Sequence, residues 1–335
     1  MMRTAKFVCL RLAAVLICGL FLSACASPPR ADQTAARTFK LGLISGAQEF
    51  VDFVMERHGI LDRFGLKADT IKSLSPANLH LMVAEGKVDI GFAGFTTMAT
   101  ARAEGKDIIV IHGVFSPVNM VFVAKNSSIH SLSDLKGKKL GVFGGPGSTT
   151  FAFLAVIARK WYGIDLFHDV ELVTAPAPAL IELLRKGDLD AALLGTTESV
   201  QTNARQQYRV LVDLSEEYKT HQGGRAPAHV TVATSEAFAK SHPDIVRDYL
   251  KAYDTTVEYI RTHPEVWDEY AESIKMENPD ERALLQQKMA PNIVGKWDEE
   301  QIALQNDYLK LVHDMVGESV LKTVPTDLIR DEYGR

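Results

Sequence analysis

Cysteine is almost absent from this sequence. Three of the 335 residues are cysteines, and all of them, Cys9, Cys18 and Cys25, lie near the beginning of the chain. The residues after Cys25 therefore offer no thiol for a disulfide, for cysteine-based catalysis, or for a zinc or iron–sulfur site built on thiolates. The ten histidines show no H-x-x-x-H or H-x-H spacing. We expect no metal site and no cofactor.

A long apolar run is missing as well. Residues 12–22 form an apolar run of eleven residues, whereas a membrane-spanning helix needs about 20. Basic residues precede the run and small residues follow it, which is typical of a secretory signal peptide. The run ends in Leu22-Ser23-Ala24-Cys25, which has the form of a bacterial lipobox. We predict a lipoprotein signal peptide over residues 1–24 and acylation of Cys25; the alternative is an ordinary signal peptide with a chance cysteine.

Basic residues are outnumbered by acidic ones. The predicted signal peptide holds three of the 37 basic residues and none of the 42 acidic ones, which leaves a net charge of −8 on the rest of the chain. Because no basic stripe is available for phosphates, we expect no nucleic-acid partner. Residues 25–38 lack an apolar period and predict a tether that follows the lipidated Cys25. We expect a monomer in the periplasm or on the cell surface, anchored to the membrane by its lipid.

Short apolar segments alternate with helical ones from Phe39 onward. This alternation predicts an α/β protein with parallel sheets and crossover helices, and the length favours two domains of ~150 residues each. The series restarts after residue 125, and residues 226–234 predict a strand that returns to the first sheet. We predict lobe 1 over residues 39–125 and 226–335, lobe 2 over residues 126–225, and a mainly helical C-terminal region.

Residues 86–97 and 187–197 repeat one pattern. Each segment has a glycine that ends a helix, an aspartate turn, a buried-type strand, and then a glycine with two threonines, and the two copies lie 101 residues apart. Two lobes of similar build explain this repeat better than chance does. Asp89 and Asp190 look like a carboxylate pair, but aspartate is a common turn residue. Since no catalytic motif is present either, we predict no catalytic residue.

Several segments resemble one known family. They are the lipobox, SDLKGKKLGVFGGPGSTTFAFLAVIARKWYGI (133–164), the two G-x-[VL]-D strands, and VATSEAFAKSHPDIVRDYLKAY (232–253). The chain resembles the substrate-binding proteins of ABC importers, in the branch for nitrate, sulfonate, taurine and thiamine-pyrimidine precursors. The resemblance implies the two-lobed periplasmic-binding-protein type II architecture, with two crossovers that act as a hinge. Of the Trp-Glu-Pro triplet that the family commonly carries, only Glu198 is matched, and the Cys-rich signature of the related synthases is absent.

The candidate ligand-binding residues lie where strands end and helices begin. GGPGSTT (144–150) follows a strand and opens a helix, where backbone N–H groups and the helix dipole favour an anion. It has no lysine at the position that a P-loop requires. The alternatives are a plain helix cap for the hydroxyls, a core position for the aromatics and a solvated surface charge for Glu198. The candidates are Ser45, Gly46, Gln48, Phe95, Thr96, Thr97, Phe115, Gly147, Ser148, Thr149, Thr150, Thr196 and Glu198.

The function expected from these features is solute capture. We predict an extracytoplasmic solute-binding lipoprotein that delivers a small organic anion, such as a sulfonate, taurine or nitrate, to an ABC permease with its ATPase. A binding protein for pyrimidine or thiamine precursors, or an enzyme of the same fold, is the alternative. A ligand-sensing lipoprotein that signals to a membrane receptor is a third hypothesis.

Replacing Cys25 tests the predicted anchor. The Cys25→Ala protein should escape lipidation and remain unprocessed or be released in soluble form, because the sequence has no apolar run long enough to span a membrane. Membrane fractionation and the mass of the N-terminal peptide check this. If the variant is processed and fractionates with membranes as the unaltered protein does, the lipobox assignment is wrong.

Overall fold

The computed structural model of the chain describes residues 36–44, 46, 49–73, 76–317 and 319–334. The signal peptide, Cys25 and most of the tether lie outside the described residues, as do Ser45 and Gln48. The strands are β1 (Arg37–Ile44), β2 (Leu66–Ser73), β3 (Ile90–Gly94), β4 (Ile109–Phe115), β5 (Met120–Ala124), β6 (Lys139–Val142), β7 (Glu171–Thr174), β8 (Ala191–Leu193), β9 (Tyr208–Asp213) and β10 (Val230–Thr234). The helices are α1 (Phe50–Arg57), α2 (Ile60–Arg63), α3 (Pro76–Ala84), α4 (Phe95–Ala103), α5 (Thr149–Tyr162), α6 (Ala177–Lys186), α7 (Thr196–Ala204), α8 (Leu214–His221), α9 (Glu236–Ser241), α10 (Pro243–Thr262), α11 (Val266–Ser273), α12 (Pro279–Met289) and α13 (Glu299–Val316).

The strands form two five-stranded sheets with the same topology. The first sheet has the order β2-β1-β3-β10-β4, and the second has the order β7-β6-β8-β5-β9. In each sheet the first three strands are parallel, and the fourth, β10 or β5, runs antiparallel to both of its neighbours. The α/β prediction is confirmed, but the sheets are mixed and not purely parallel. The antiparallel strand in each sheet is the one that arrives through a crossover.

The first crossover lies earlier in the chain than the sequence predicted. Residues 120–125 were assigned to lobe 1, whereas β5 pairs with β8 and β9 of the second sheet. Pro117 is the second residue after β4, and proline cannot donate to a strand ladder. The chain therefore leaves the first sheet over residues 116–119, and the boundary at residue 125 is wrong. The predicted return of residues 226–234 to the first sheet is confirmed by the pairing of β10 with β3 and β4.

The internal repeat has a matching structural counterpart in each sheet. Asp89 accepts the backbone N–H of Lys40 at 2.7 Å, and Asp190 accepts that of Lys139 at 2.8 Å. Both aspartates tie the turn before a buried strand, β3 or β8, to the neighbouring strand, β1 or β6. This geometry agrees with the turn role that the sequence indicated.

One apolar cluster continues from the first sheet to the second. It includes Phe95 of α4, Phe153 of α5 and Tyr308 of α13, and the Tyr308 ring centroid lies 6.5 Å from that of Phe95 and 5.2 Å from that of Phe153. α13 packs against α5, so the C-terminal region does not belong wholly to lobe 1. After α13 the chain returns to the first sheet, where Ile329 forms a bridge beside Val110 of β4.

A buried carboxyl group on α1 gives a testable dependence of stability on pH. Asp52 is 2% exposed; burial, and to a smaller extent Glu56, raise the pKa of its carboxyl to about 7, while Lys72 acts in the opposite direction. The native chain then binds this proton more strongly than the unfolded chain does. The contribution of Asp52 to stability is therefore present at pH values below its unfolded pKa and is lost as the pH rises to 7.

Replacing Asp52 by its neutral isostere should remove this loss. At pH 8 the free energy of unfolding of Asp52→Asn should exceed that of the unaltered protein by about 2–4 kcal/mol, and at pH 4 the two should agree. Urea unfolding at the two pH values measures the difference. Equal stability at pH 8 would show that Asp52 is not protonated by burial.

Candidate functional site

A cavity of about 850 Å³ lies between the two sheets. One side is formed by α3 and α4 from the first half of the chain, and the other by the β6–α5 loop and the end of β7. The residues that line it are His80, Leu81, Ala84, Thr96, Thr97, Met98, Thr100, Ala101, Glu104, Lys106, Phe143, Gly144, Gly147, Ser148, Thr174, Ala175, Pro176, Ser319 and Val320. Strands β3 and β6 both end at this cavity, as ligand sites in open α/β sheets require.

The β6–α5 loop turns sharply because of its glycines. Gly144 and Gly145 have φ values of +78° and +76°, which residues other than glycine rarely adopt. Ser148 is the cap of α5: its Oγ accepts the N–H of Phe151 at 3.2 Å and donates to the carbonyl of Gly145 at 2.8 Å. The structure thus gives the Ser148 hydroxyl the cap role that the sequence offered as the alternative. Gly147 lines the cavity and has open space where a Cβ would stand.

Two threonines of α5 join the two sides of the cleft. The backbone N–H of Thr97 donates to Thr149 Oγ1 at 3.3 Å, and the two hydroxyl oxygens lie 3.0 Å apart. Thr150 Oγ1 lies 2.8 Å from Nε2 of His229, just before β10. Thr97 and Thr149 therefore contact each other, and Thr150 contacts the crossover. Of these three residues, Thr97 alone is among the described residues that line the cavity.

The predicted aromatic walls are elsewhere. Phe95 is fully buried in the apolar cluster beside Tyr308 of α13. Phe115 and Thr196 line a separate cavity of about 10 Å³, which is close to the smallest volume that holds one water molecule. Phe143, which is not among the residues predicted from the sequence, supplies the aromatic ring of the main cavity.

The other predicted residues lie around the start of α7 and at α4. Thr96 is buried and reaches the main cavity. The Glu198 carboxylate and the Phe143 ring both lie against Gly195 at the start of α7. Gly46, with φ +104°, faces the Thr197 hydroxyl, and its carbonyl accepts the hydroxyl of Tyr270 at 2.5 Å. Gly46 and Glu198 are not among the described residues that line the main cavity.

His80 lines the cavity although it is not among the residues predicted from the sequence. It lies on α3 between the buried Leu79 and Val83, and its Nε2 accepts the backbone N–H of Gly94 at 2.9 Å. Burial lowers the pKa of His80 to about 4; burial and then the proximity of His80 do the same for His229. Both imidazoles are therefore neutral near pH 7. A histidine inside an apolar helical stripe is the signal that could have marked this position.

The cavity has few charged groups. Among its described lining residues the ionised side chains are Glu104 and Lys106, and both are exposed. The described part of the chain has no group of three or more His, Cys, Asp or Glu side chains arranged to hold a metal ion. The groups that the cavity offers are therefore mainly hydroxyls, a neutral imidazole and apolar surface.

The C-terminal segment forms part of the cavity wall. The Thr100 hydroxyl donates to the carbonyl of Val320 at 3.0 Å, which holds the segment after α13 against α4. Ser319 and Val320 both reach the cavity. In the ranges that the structure describes, none of the helices combines the length and the apolar character needed to cross a membrane.

Comparison with known proteins gives one family. The family model described as NMT1/THI5 like matches residues 52–266, which is more than half of the chain. The taurine-binding periplasmic protein of Escherichia coli (strain K12) is 29% identical over 211 residues, which are 63% of this chain and 62% of that protein. The 4-amino-5-hydroxymethyl-2-methylpyrimidine phosphate synthase THI5 of Saccharomyces cerevisiae is 24% identical over 241 residues, 65% of each chain. The chain thus matches less than two thirds of the length of either relative.

A solved structure confirms the fold. The periplasmic aliphatic sulphonate binding protein SsuA from Escherichia coli superimposes with a TM-score of 0.69 at 20% identity, covering 86% of this chain and 95% of that one. The expected periplasmic-binding-protein fold is therefore correct.

Gly94 tests whether the two sides of the cleft must touch. A Cβ at this position would overlap the Thr149 hydroxyl oxygen and would lie 3.1 Å from Cε1 of His80. Gly94→Ala should therefore lower the free energy of unfolding by about 1–3 kcal/mol through overpacking, and small-angle scattering should show a larger radius of gyration. Gly147→Ala is the matched control, because a Cβ there meets open space. A Gly94→Ala protein as stable and as compact as the control would contradict this account.

Proposed function

The chain belongs to the NMT1/THI5-like family, and on that premise we propose that it is an extracytoplasmic solute-binding protein of an ABC importer. It captures a small organic anion in the cleft between its sheets and releases it chemically unchanged to a membrane permease that works with an ATPase. The observation that carries the proposal is a single cavity lined by Gly147 and Ser148 at the α5 N-terminus and, from the other side, by Thr97.

The anionic end of the solute binds at α5. This helix is 14 residues long, and the N–H groups of its first turn, together with its dipole, favour a negative group. The relatives' names agree with an acid of this kind, since one binds taurine and a fold neighbour binds aliphatic sulfonates. A sulfonate offers three acceptor oxygens without needing a basic side chain in the cleft.

The rest of the solute is apolar. Leu81, the one large hydrophobic side chain among the described residues that is mostly exposed, stands at this cavity, with Met98, Phe143 and Val320 around it. A volume of about 850 Å³ falls in the upper range of small-molecule pockets. Each methylene that is buried against these side chains contributes roughly 0.8 kcal/mol to binding.

Transport requires a change of shape and a place outside the cytoplasm. The two crossovers act as the hinge, and ligand binding favours the closed arrangement of the lobes. The closed lobes present a surface to the permease. The lipobox at Cys25 anchors the protein to the membrane, and residues 25–38 serve as the tether.

A ligand panel tests this function. Calorimetry and thermal unfolding with taurine and with the linear sulfonates from methane- to hexanesulfonate should give saturable binding that tightens with chain length. A ligand at 100 times its Kd adds about 2.7 kcal/mol to stability. Gly147→Trp should fill the cavity and abolish the shift, whereas Gly295→Trp, at an exposed position, should keep it. No binding by any member of the panel would overturn the proposal.

The second candidate is a synthase, which the names of the yeast relatives favour. The same experiment separates the two, because an importer's binding protein returns its ligand intact. Incubation with each ligand of the panel that binds should return that ligand with no new product by mass spectrometry. Recovery of a converted product would assign the chain to the enzymes of the family.

A further inference from the structure

We propose that His80 binds the ligand directly, as a neutral imidazole whose Nδ1–H donates to an acceptor oxygen of the ligand's anionic group. The inference rests on the proposed function and adds a residue that neither the family match nor the relatives' names assign. It also defines the class of ligand, since the polar end must present an acceptor, and not an ammonium or another donor, to α3.

The Gly94 amide fixes the tautomer of His80. The backbone N–H of Gly94 donates to Nε2 at 2.9 Å, so Nε2 carries a lone pair and not a proton. In a neutral imidazole the single proton must then be on the other nitrogen, Nδ1. Gly94 is the last residue of β3 and the cap of α4, so a fixed piece of backbone, not a mobile side chain, sets this proton's position.

The surroundings keep His80 uncharged. The side chain is 9% exposed, and burial holds the pKa of the imidazole near 4. The other titratable groups around the cavity are His229, which is itself neutral, and Glu104 and Lys106, which are exposed. A protonated His80 would, moreover, have to give up the bond from Gly94, because an imidazolium has no acceptor nitrogen.

The position of His80 brings its donor to the same place as the other donors. The ring lines the cavity with Thr97 and Ser148, and the space above Gly94 is shared by Cε1 of His80 and the Thr149 side chain. The α3 donor therefore approaches the anionic group from the side opposite α5. A ligand held between the two would be clamped by uncharged donors from both halves of the chain.

Two variants separate the ligand contact from the support of Gly94. His80→Gln places an acceptor oxygen at the Nε2 position but no donor at Nδ1, whereas His80→Asn places an amide donor near Nδ1 but cannot reach Gly94. With 1-butanesulfonate as the probe, His80→Gln should melt within a few degrees of the unaltered protein and bind about tenfold more weakly or worse. His80→Asn should melt at a lower temperature and keep its affinity within about threefold, measured below its transition.

Nitrogen-15 NMR of the histidines tests the same point without a variant. The unaltered protein should show a protonated Nδ1 and an unprotonated Nε2 for His80 from pH 5.5 to pH 8, with the Nδ1–H resonance shifting when 1-butanesulfonate is added. The affinity should be constant over this range, whereas an imidazolium contact would weaken as the pH rises through about 6.5.

The outcomes distinguish this inference from the proposed function. If the sulfonate binds the unaltered protein and His80→Gln binds equally well, the role of His80 is refuted and the proposed function stands. The same holds if NMR shows the Nε2–H tautomer or an imidazolium at pH 6. If 1-butanesulfonate and the rest of the panel fail to bind the unaltered protein, the proposed function and this inference both fall.

Discussion

Two strands that change sheets hold this molecule together. The chain leaves the first sheet before β5, which lies between β8 and β9 of the second sheet. It returns to the first sheet at β10, which lies between β3 and β4. Each is hydrogen-bonded along both edges, so neither crossover can move away from its sheet without breaking a ladder. The crossovers also meet, since the Ser116 hydroxyl donates to the carbonyl of Ala226 at 3.1 Å. Because the two sheets are joined at this junction, the ends of β3 and β6 lie on opposite walls of one cleft.

The contacts that shape the cleft are hydrogen bonds between neutral groups and apolar packing. The Gln305 side chain both donates to the carbonyl of Ala228 and accepts its N–H, at 2.7 and 2.9 Å, which fixes α13 to the second crossover. α13 then packs against α5, and Tyr308 reaches the Phe95 ring at the start of α4. The surroundings of the cavity are therefore apolar. Its buried polar groups are neutral imidazoles and hydroxyls, because an unpaired charge would be costly to bury there.

Local patterns predicted the elements well, and long-range pairing limited the rest. The strand after Phe39, the helix that opens at GGPGSTT and the turn aspartates Asp89 and Asp190 all follow from short-range chemistry. The sheet to which β5 belongs does not follow from short-range chemistry. An apolar strand fits either sheet equally well, and only the strands that pair with it determine its sheet. Among the site residues, the loop threonines were predictable from strand ends, whereas the inward turn of Phe95 depends on α13, more than 200 residues later. His80 was overlooked because its partner is a backbone amide, which has no mark in the sequence.

The first sheet is assembled from parts of the chain that are far apart. β10 fills the gap between β3 and β4 although more than 100 residues separate it from β4, and Ile329 completes the edge beside Val110. The second sheet, in contrast, uses strands from residues 120–213 alone. Because contacts between distant residues form slowly, we expect the second sheet to form first during synthesis and the first sheet to wait for the C-terminal third of the chain. The strands before β5 then remain without β10, the neighbour that β3 and β4 share, until the C-terminal third of the chain has been made.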